Sequence, residues 1–279
     1  MSGLLVTVDE LAAHPEWRVF DCRHDLRDVA YGRGAYAKEH IPGAQFLHLD
    51  EDLSGPLTGR NGRHPLPDVE RFAARMRACG VSADTQVVAY DTEGSIFASR
   101  LWWLLRWLGH DAVAVLDGGL PCWRHRKQPL TAEVPQVSPG NVAPGATRLG
   151  TVDAERIVAA LGSPGLLLLD ARSEERFAGQ NETLDPVGGH IPGAVNRFYF
   201  DNLDDSGCYF KPPKALRAEF AEVIGERDPA SVVQMCGSGV TACHNLLAME
   251  LAGYGGSLLY PGSWSEWCAD PARPVATGP

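Results

Sequence analysis

The sequence predicts an α/β protein made of two copies of one domain, each with a mostly parallel central sheet flanked by helices. Three observations carry that expectation. The motif pair Asp21-Cys22-Arg23 and His40-Ile41-Pro42-Gly43-Ala44 returns in the second half as Asp170-Ala171-Arg172 and His190-Ile191-Pro192-Gly193-Ala194. A longer match follows each pair, Val87 to Gly119 against Val232 to Gly262, and the offset runs from 149 residues at Asp21 and Asp170 to 143 at Gly119 and Gly262. In both halves short apolar runs alternate with amphipathic stretches, as buried parallel strands joined through helices do.

The first copy is expected over 1–131 and the second over 149–279, joined by a linker at 132–148 that is rich in Pro, Gly and small residues. In the second copy the strand Leu166–Leu169 ends at Asp170, and a short strand follows near Ala194. An amphipathic helix comes next at about 213–224, then a strand over 231–235. A helix over 241–252 has Gly253 just past its end, and a strand at Ser257–Tyr260 closes the pattern.

With 279 residues, 44% hydrophobic and 22% charged, the chain has material for two domains with cores of their own. A net charge of −10 argues against nucleic acid or an acidic membrane as partner. No run of about 18 apolar residues occurs, and the opening MSGLLVTVDEL lacks a signal-peptide pattern, so the expected location is the cytoplasm. The seven cysteines, at 22, 79, 122, 208, 236, 243 and 268, are odd in number and scattered, with no CxxC pair or zinc spacing. Cys236, Cys243 and His244 come nearest to a cluster, but their spacing suits a loop and its helix, and no metal is expected.

One of these cysteines has a distinctive setting. Cys236 follows the strand residues Val232, Val233 and Met235 and opens the six-residue loop CGSGVT before a helix. Gly237 and Gly239 let the backbone curl with its N–H groups inward, and the helix adds its positive end. That setting favours a thiolate over a thiol. In an open parallel sheet, ligands gather at the C-terminal strand ends, where Cys236 stands. The matching position in the first copy is Asp91, so one copy is expected to be catalytic and the other a structural and substrate-closing partner, with the site in the cleft between them.

A cysteine heading an anion cradle fits phosphate-ester hydrolysis or sulfur transfer. A cysteine phosphatase needs an arginine near the far end of the loop, and 237–243 reads GSGVTAC with no Arg or Lys. A Cys–His protease needs an oxyanion hole on a different scaffold, with His190 and His64 as nominal partners.

Asp-x-Arg, His-Ile-Pro-Gly-Ala and a Cys loop, in tandem, resemble the rhodanese-fold sulfurtransferases over nearly the whole chain. The resemblance implies two tandem rhodanese-like domains. The loop CGSGVT is similar to that of the mercaptopyruvate-type members, whereas thiosulfate-type members carry basic residues there; the segment GSWSEW at 262–267 also resembles the family. The implied reaction is ping-pong: the Cys236 thiolate takes sulfur from a small-molecule donor as a persulfide and passes it to a thiol, such as a thioredoxin or a small dithiol, or to cyanide. Neither metal nor organic cofactor is implied. Thiosulfate:cyanide transfer, or a sulfur-carrier or regulatory module without turnover, are the alternatives.

Residue by residue, the resemblance assigns Arg176 to the donor carboxylate and the loop residues Gly237, Gly239, Val240 and Thr241 to the substrate anion. Ser238, His64 and Asp50 match a family proton relay, with His64 and Asp50 drawn from the first copy. A second family arginine before GHIPG has no counterpart, since that segment reads NETLDPVGGH. Asp21, Arg23, His40, Asp170, Arg172 and His190 recur in the copy without the thiol, so structural roles are expected for them.

Overall fold

The computed structural model describes residues 3–147 and 149–279; Met1, Ser2 and Arg148, at the ends of the expected first domain and linker, lie outside them. The chain divides into two compact units. The first comprises the described residues up to Gly55, 67–147 and Asp205–Phe210, and the second comprises Pro56–Leu66, Leu149–Asp204 and Lys211–Pro279. Residues 56–66, which carry His64, thus pack within the second unit although they precede the linker.

The first unit holds β1 (Leu5–Val6), α1 (Val8–Ala13), β2 (Arg18–Asp21), α2 (Tyr31–Lys38), β3 (Gln45–Phe46), α3 (Val69–Ala78), β4 (Val87–Tyr90), α4 (Ile96–Leu108), β5 (Val113–Leu116) and α5 (Gly119–His125). All its strand pairs are parallel, in the order β1-β5-β4-β2-β3. Strands β4 and β5 are buried at every residue, as a parallel sheet covered on both faces requires.

The second unit holds α6 (Ala154–Ala160), β6 (Leu167–Asp170), α7 (Glu174–Phe177), β7 (Val195–Asn196), α8 (Pro213–Ile224), β8 (Val232–Met235), α9 (Thr241–Leu251), β9 (Leu258–Leu259) and α10 (Ser263–Trp267). Its parallel sheet runs β7-β6-β8-β9, and an isolated parallel bridge from Thr151 to Leu259 stands where the first unit has β1. The expected strands and helices are present with ends moved by one or two residues. Residues 229–231 form a 3-10 turn rather than the start of β8, because Pro229 has no N–H for a ladder. The one-turn α7 and the short α6 and α10 are too brief to show a period in sequence.

Residues 132–147 contain no helix or strand, yet they do not float. Gly140 donates to Arg77 O at 2.8 Å, Val142 to Val81 O at 3.1 Å and Gly145 to Leu108 O at 2.8 Å, which straps the segment to the first unit. A Cβ at Gly140 would lie 2.1 Å from Val81 O, so only glycine permits this approach.

The recurring motif residues hold each unit in the same way. Arg172 grips the Asp170 carboxylate through Nε and Nη2, with Nη2 2.7 Å from Oδ2, and also donates to Gly189 O at 2.6 Å. Arg23 repeats this on Asp21, at 2.6 Å, and on Glu39 O, at 2.7 Å. Each pair ties a strand end to the loop that leads into His-Ile-Pro-Gly-Ala. His190 stacks on Phe177 at 3.8 Å with Nδ1 2.9 Å from Phe177 O, and His40 stacks on Tyr36 at 3.8 Å with Nδ1 2.8 Å from Tyr36 O. Both histidines also form isolated antiparallel bridges, His40 with Thr131 and His190 with Ala276.

Asp170 is fully buried, so Arg172→Ala would strand its charge. The expected loss in urea denaturation is about 3–5 kcal/mol. Arg172→Lys should recover only part of it, because an ammonium cannot grip a carboxylate with two parallel bonds.

Candidate active site

The site begins at the end of β8. Cys236 is 2% exposed, and its Sγ accepts the backbone N–H groups of Gly239 at 3.1 Å and Ser238 at 3.4 Å. The curl that brings those amides round needs glycine at 239, where φ is +77° and a Cβ would lie 2.5 Å from Pro261 O. Val240 and Thr241 then start α9, whose first turn has no side-chain cap, so its amide dipoles face the loop. Val240 is buried and Thr241 half-buried.

A second segment fixes this loop from outside. Trp264 N–H donates to Cys236 O and Ser265 N–H to Gly237 O, both at 2.9 Å. Cys236 N–H donates to Ser263 Oγ at 3.1 Å, and that hydroxyl donates to Tyr260 O at 2.9 Å. Ser263 sits at φ +53° to do so, an unusual backbone for a residue with a side chain. The GSWSEW segment is therefore a clamp on the Cys236 loop.

The same clamp carries residues 62–64. Arg63 N–H donates to Ser265 Oγ at 3.0 Å. Gly62, at φ +78°, lets the chain pass so close that a Cβ would meet Gly262 O at 2.6 Å. His64 is 5% exposed and its Nδ1 lies 2.7 Å from Ser238 Oγ. The geometry thus joins His64, Ser238 and Cys236. Asp50 belongs to the first unit, where its N–H donates to His48 Nδ1 at 3.1 Å and its carboxylate stands 3.8 Å from that nitrogen.

Arg176, on α7, holds Glu182 with two bonds of 3.0 Å and reaches Asp185 Oδ2 at 3.2 Å. Arg63 pairs with the other oxygen of Asp185. A Cβ built on Gly237 would lie 2.8 Å from Arg63 Nη2 and 3.4 Å from Arg176 Nη2, so both guanidinium groups border the Cys236 loop. Burial raises the Glu182 carboxyl, but its bonds from Arg176 and from Leu184 N–H outweigh that and hold it below the usual range. For Asp185 burial wins over the Arg63 and Arg176 charges, and its carboxyl is pushed up. Arg63 is the residue that sequence reasoning missed. It stands next to His64 in the same short segment, but nothing local shows that it faces the loop.

The corresponding loop of the first unit has a different occupant. Asp91 follows β4, and its carboxylate accepts N–H groups from Glu93 and Ser95 at 2.9 Å, Phe97 at 2.8 Å and Ala98 at 3.0 Å. The copy without the thiol fills its own anion cradle with a fixed carboxylate.

Side chains that approach within metal-ligating reach of one another are His24, His48 and Asp50, in the first unit, with ligand atoms within 4.8 Å. His48 is committed there on both sides, with Nδ1 on Asp50 N–H and Nε2 2.9 Å from Val29 O. Among the described residues no cysteine forms a disulfide, and no helix is long and apolar enough to cross a membrane.

Comparison with known proteins follows the same outline. Residues 6–126 and 153–270 each match the rhodanese-like domain. The chain is 48% identical over 284 residues to the "Probable 3-mercaptopyruvate sulfurtransferase" of Pseudomonas aeruginosa, covering 99% of both chains. It is 34% identical to the thiosulfate sulfurtransferase of Bos taurus, covering 91% of this chain and 85% of that one. Its fold is similar to that of 3-mercaptopyruvate sulfurtransferase from Leishmania major, with a TM-score of 0.84 and 32% identity over 95% of this chain and 74% of that one.

Gly239→Ala should distort the cradle around Cys236. The expected outcome is a stability loss of about 1–3 kcal/mol from the positive φ alone, with slower alkylation of Cys236 by iodoacetamide under native conditions, read by peptide mass mapping.

Proposed function

The chain belongs to the rhodanese family of sulfurtransferases, and from that premise we propose that it moves sulfur from 3-mercaptopyruvate to a thiol acceptor through a persulfide on Cys236. The observation that carries the reading is the pairing of a sulfur held by two loop amides with a Ser238–His64 contact of 2.7 Å beside it. The loop side chains at 237–239 are neutral, so they offer no extra partner for the second charge of thiosulfate. The repeats over 1–131 and 149–279, joined through 132–148, serve in this reading as the domain without the catalytic cysteine and the catalytic domain.

In the first half-reaction the Cys236 thiolate attacks the donor sulfur. A sulfur–sulfur bond forms, the donor carbon–sulfur bond breaks, and its electron pair leaves on the enolate of pyruvate. That enolate needs a proton. Ser238 O–H, backed by His64 Nδ1, supplies it, and a protonated His64 restores the hydroxyl. Asp50 is assigned the orienting carboxylate of this relay on the family resemblance. In the second half-reaction an acceptor thiolate attacks the outer sulfur, and the Cys236 thiolate is released to the same two amides.

Arg176 is the cation assigned to the donor carboxylate, with Gly237, Gly239, Val240 and Thr241 as the loop around it. The acceptor is assigned to the cytoplasmic thiol pool, a thioredoxin or a small dithiol.

Intact-mass analysis after 3-mercaptopyruvate treatment should show one added sulfur, and peptide mapping should assign it to Cys236. Turnover retained by Cys236→Ser, or sulfur found on Cys243, would refute the persulfide assignment. A higher kcat/KM for thiosulfate than for 3-mercaptopyruvate, measured side by side, would transfer the assignment to a thiosulfate:cyanide enzyme. Persulfide formation without turnover on either donor would identify a carrier.

His64→Ala should lower kcat with 3-mercaptopyruvate by about 10²–10⁴-fold, the usual worth of a positioned acid. Thiosulfate should lose much less, because sulfite is a stable leaving group that needs no proton. Equal losses with both donors would remove the relay.

A further inference from the structure

We infer that Asp185 is a specificity-determining residue of the Cys236 site: with Glu182 it cancels the charge of the two guanidinium groups beside the loop, and so selects against sulfur donors that carry two negative charges. The inference deepens the proposed function by naming a donor class that the same site rejects. It rests on uptake of sulfur at Cys236, not on which donor the native protein prefers.

Asp185 is held at this place by the chain around it. A Cβ at Gly188 would lie 2.8 Å from Gly179 O, so two glycines close the neck of the excursion that carries Glu182 and Asp185. Trp264 Nε1 donates to Val187 O at 2.8 Å, which ties the excursion to the segment that clamps the Cys236 loop. Within it, Glu182 Oε1 accepts the N–H groups of Leu184 at 2.9 Å and Asp185 at 3.1 Å. The Asp185 side chain is left 3% exposed and that of Glu182 5%.

The charges beside the loop are matched one for one. Asp185 directs one oxygen to Arg63 and the other to Arg176 Nη2 at 3.2 Å. Glu182 takes Arg176 through two bonds of 3.0 Å and stands 3.6 Å from Arg172 Nη1, while Arg172 is committed to Asp170. Two cations therefore face two anions next to Gly237, the residue that follows Cys236. Glu182 also organises the amides of its own loop, so Asp185, which bridges both arginines, is the member whose charge can be removed with the least disturbance.

A donor that reaches Cys236, which is 2% exposed, gives up most of its water. The amides of Ser238 and Gly239 that hold the cysteine sulfur can compensate one negative charge. A second charge meets guanidinium groups already engaged and the Asp185 and Glu182 carboxylates behind them. Coulomb energy is proportional to the charge of the donor, so the repulsion from Asp185 is twice as large for a dianion as for a monoanion.

The test uses thiosulfate, a dianion, and methanethiosulfonate, a monoanion. In both, the Cys236 thiolate forms a bond to the outer sulfur, the sulfur–sulfonyl bond breaks, and its electron pair leaves on sulfite or methanesulfinate. The two donors thus share their chemistry and differ by one charge. Asp185→Asn should raise kcat/KM about threefold for methanethiosulfonate and about tenfold for thiosulfate, close to the square of the first factor. Asp185→Glu should keep the native ratio of the two donors. Asp185→Asn combined with Arg63→Gln restores the charge balance and should return the ratio to the native value. Both donors are assayed on one preparation, so a loss of folded protein leaves the ratio unaffected. Without turnover, Asp185→Asn placed in Cys236→Ser should tighten thiosulfate about tenfold and methanethiosulfonate about threefold.

Equal gains for the two donors, in turnover and in binding, overturn the inference and leave Asp185 a role in shaping the loop. An absence of gain overturns it in favour of a purely structural ion pair. A double variant that keeps the ratio of Asp185→Asn overturns the charge account. Failure of the native protein to turn over 3-mercaptopyruvate overturns the proposed function alone, because this comparison is read on two other donors.

Discussion

Two backbone amides on one sulfur are the constraint from which the second unit is best understood. The N–H groups of Ser238 and Gly239 reach Cys236 Sγ only if the chain reverses within three residues. That reversal requires the positive φ of Gly239 and its tight approach to Pro261 O. A loop so shaped has no regular partner for its own carbonyls, and the 262–265 clamp supplies them with Trp264 and Ser265 N–H groups. Ser263 takes a strained backbone to hold Cys236 N–H, a local cost offset by the order it imposes. Buried amides pointing at an anion need no rearrangement when charge leaves or returns to the sulfur, which is why such a loop can serve both halves of a ping-pong reaction.

The two units show what the loop does with and without chemistry. In the first, the Asp91 carboxylate occupies the amides permanently, with four N–H groups at 2.8 to 3.0 Å. Burial outweighs the four bonds and leaves that carboxyl raised above its usual range. In the second, the Cys236 sulfur takes two N–H groups, at 3.1 and 3.4 Å, where the carboxylate takes four. The same fold element cradles a carboxylate in one copy and a cysteine sulfur in the other. The difference is whether the side chain at the strand end satisfies the amides completely.

The arginines around the loop belong to one electrostatic arrangement. Asp170 is buried, the Glu182 and Asp185 side chains are covered within half-buried residues, and each stands against a guanidinium from Arg172, Arg176 or Arg63. Buried ion pairs of this kind add little net stability over apolar packing, but removing one member leaves an unpaired charge. Geometry decides which pair is structural. Arg172 is spent on the strand end and on Gly189 O, and it also lies over the Trp264 ring at 4.7 Å, so it braces the clamp rather than the substrate.

The sequence by itself determined the tandem α/β architecture, the strand-to-helix position of Cys236, and the structural use of the Asp-x-Arg and His-Ile-Pro-Gly-Ala motifs. All of these follow from periodicity, internal repetition and residue chemistry over short spans. Element ends moved by a residue or two, and the short helices went unread, because a single turn has no period and Pro229 alone shifts the start of β8. Only the tertiary structure decided that residues 56–66 pack within the second unit. That placement sets His64 against Ser238 across 174 positions, Arg63 N–H against Ser265 across 202, and the Arg63 guanidinium against Asp185 across 122. No local pattern encodes such contacts, since they depend on the close passage of two glycine backbones, Gly62 over Gly262, which exists only once both segments have folded.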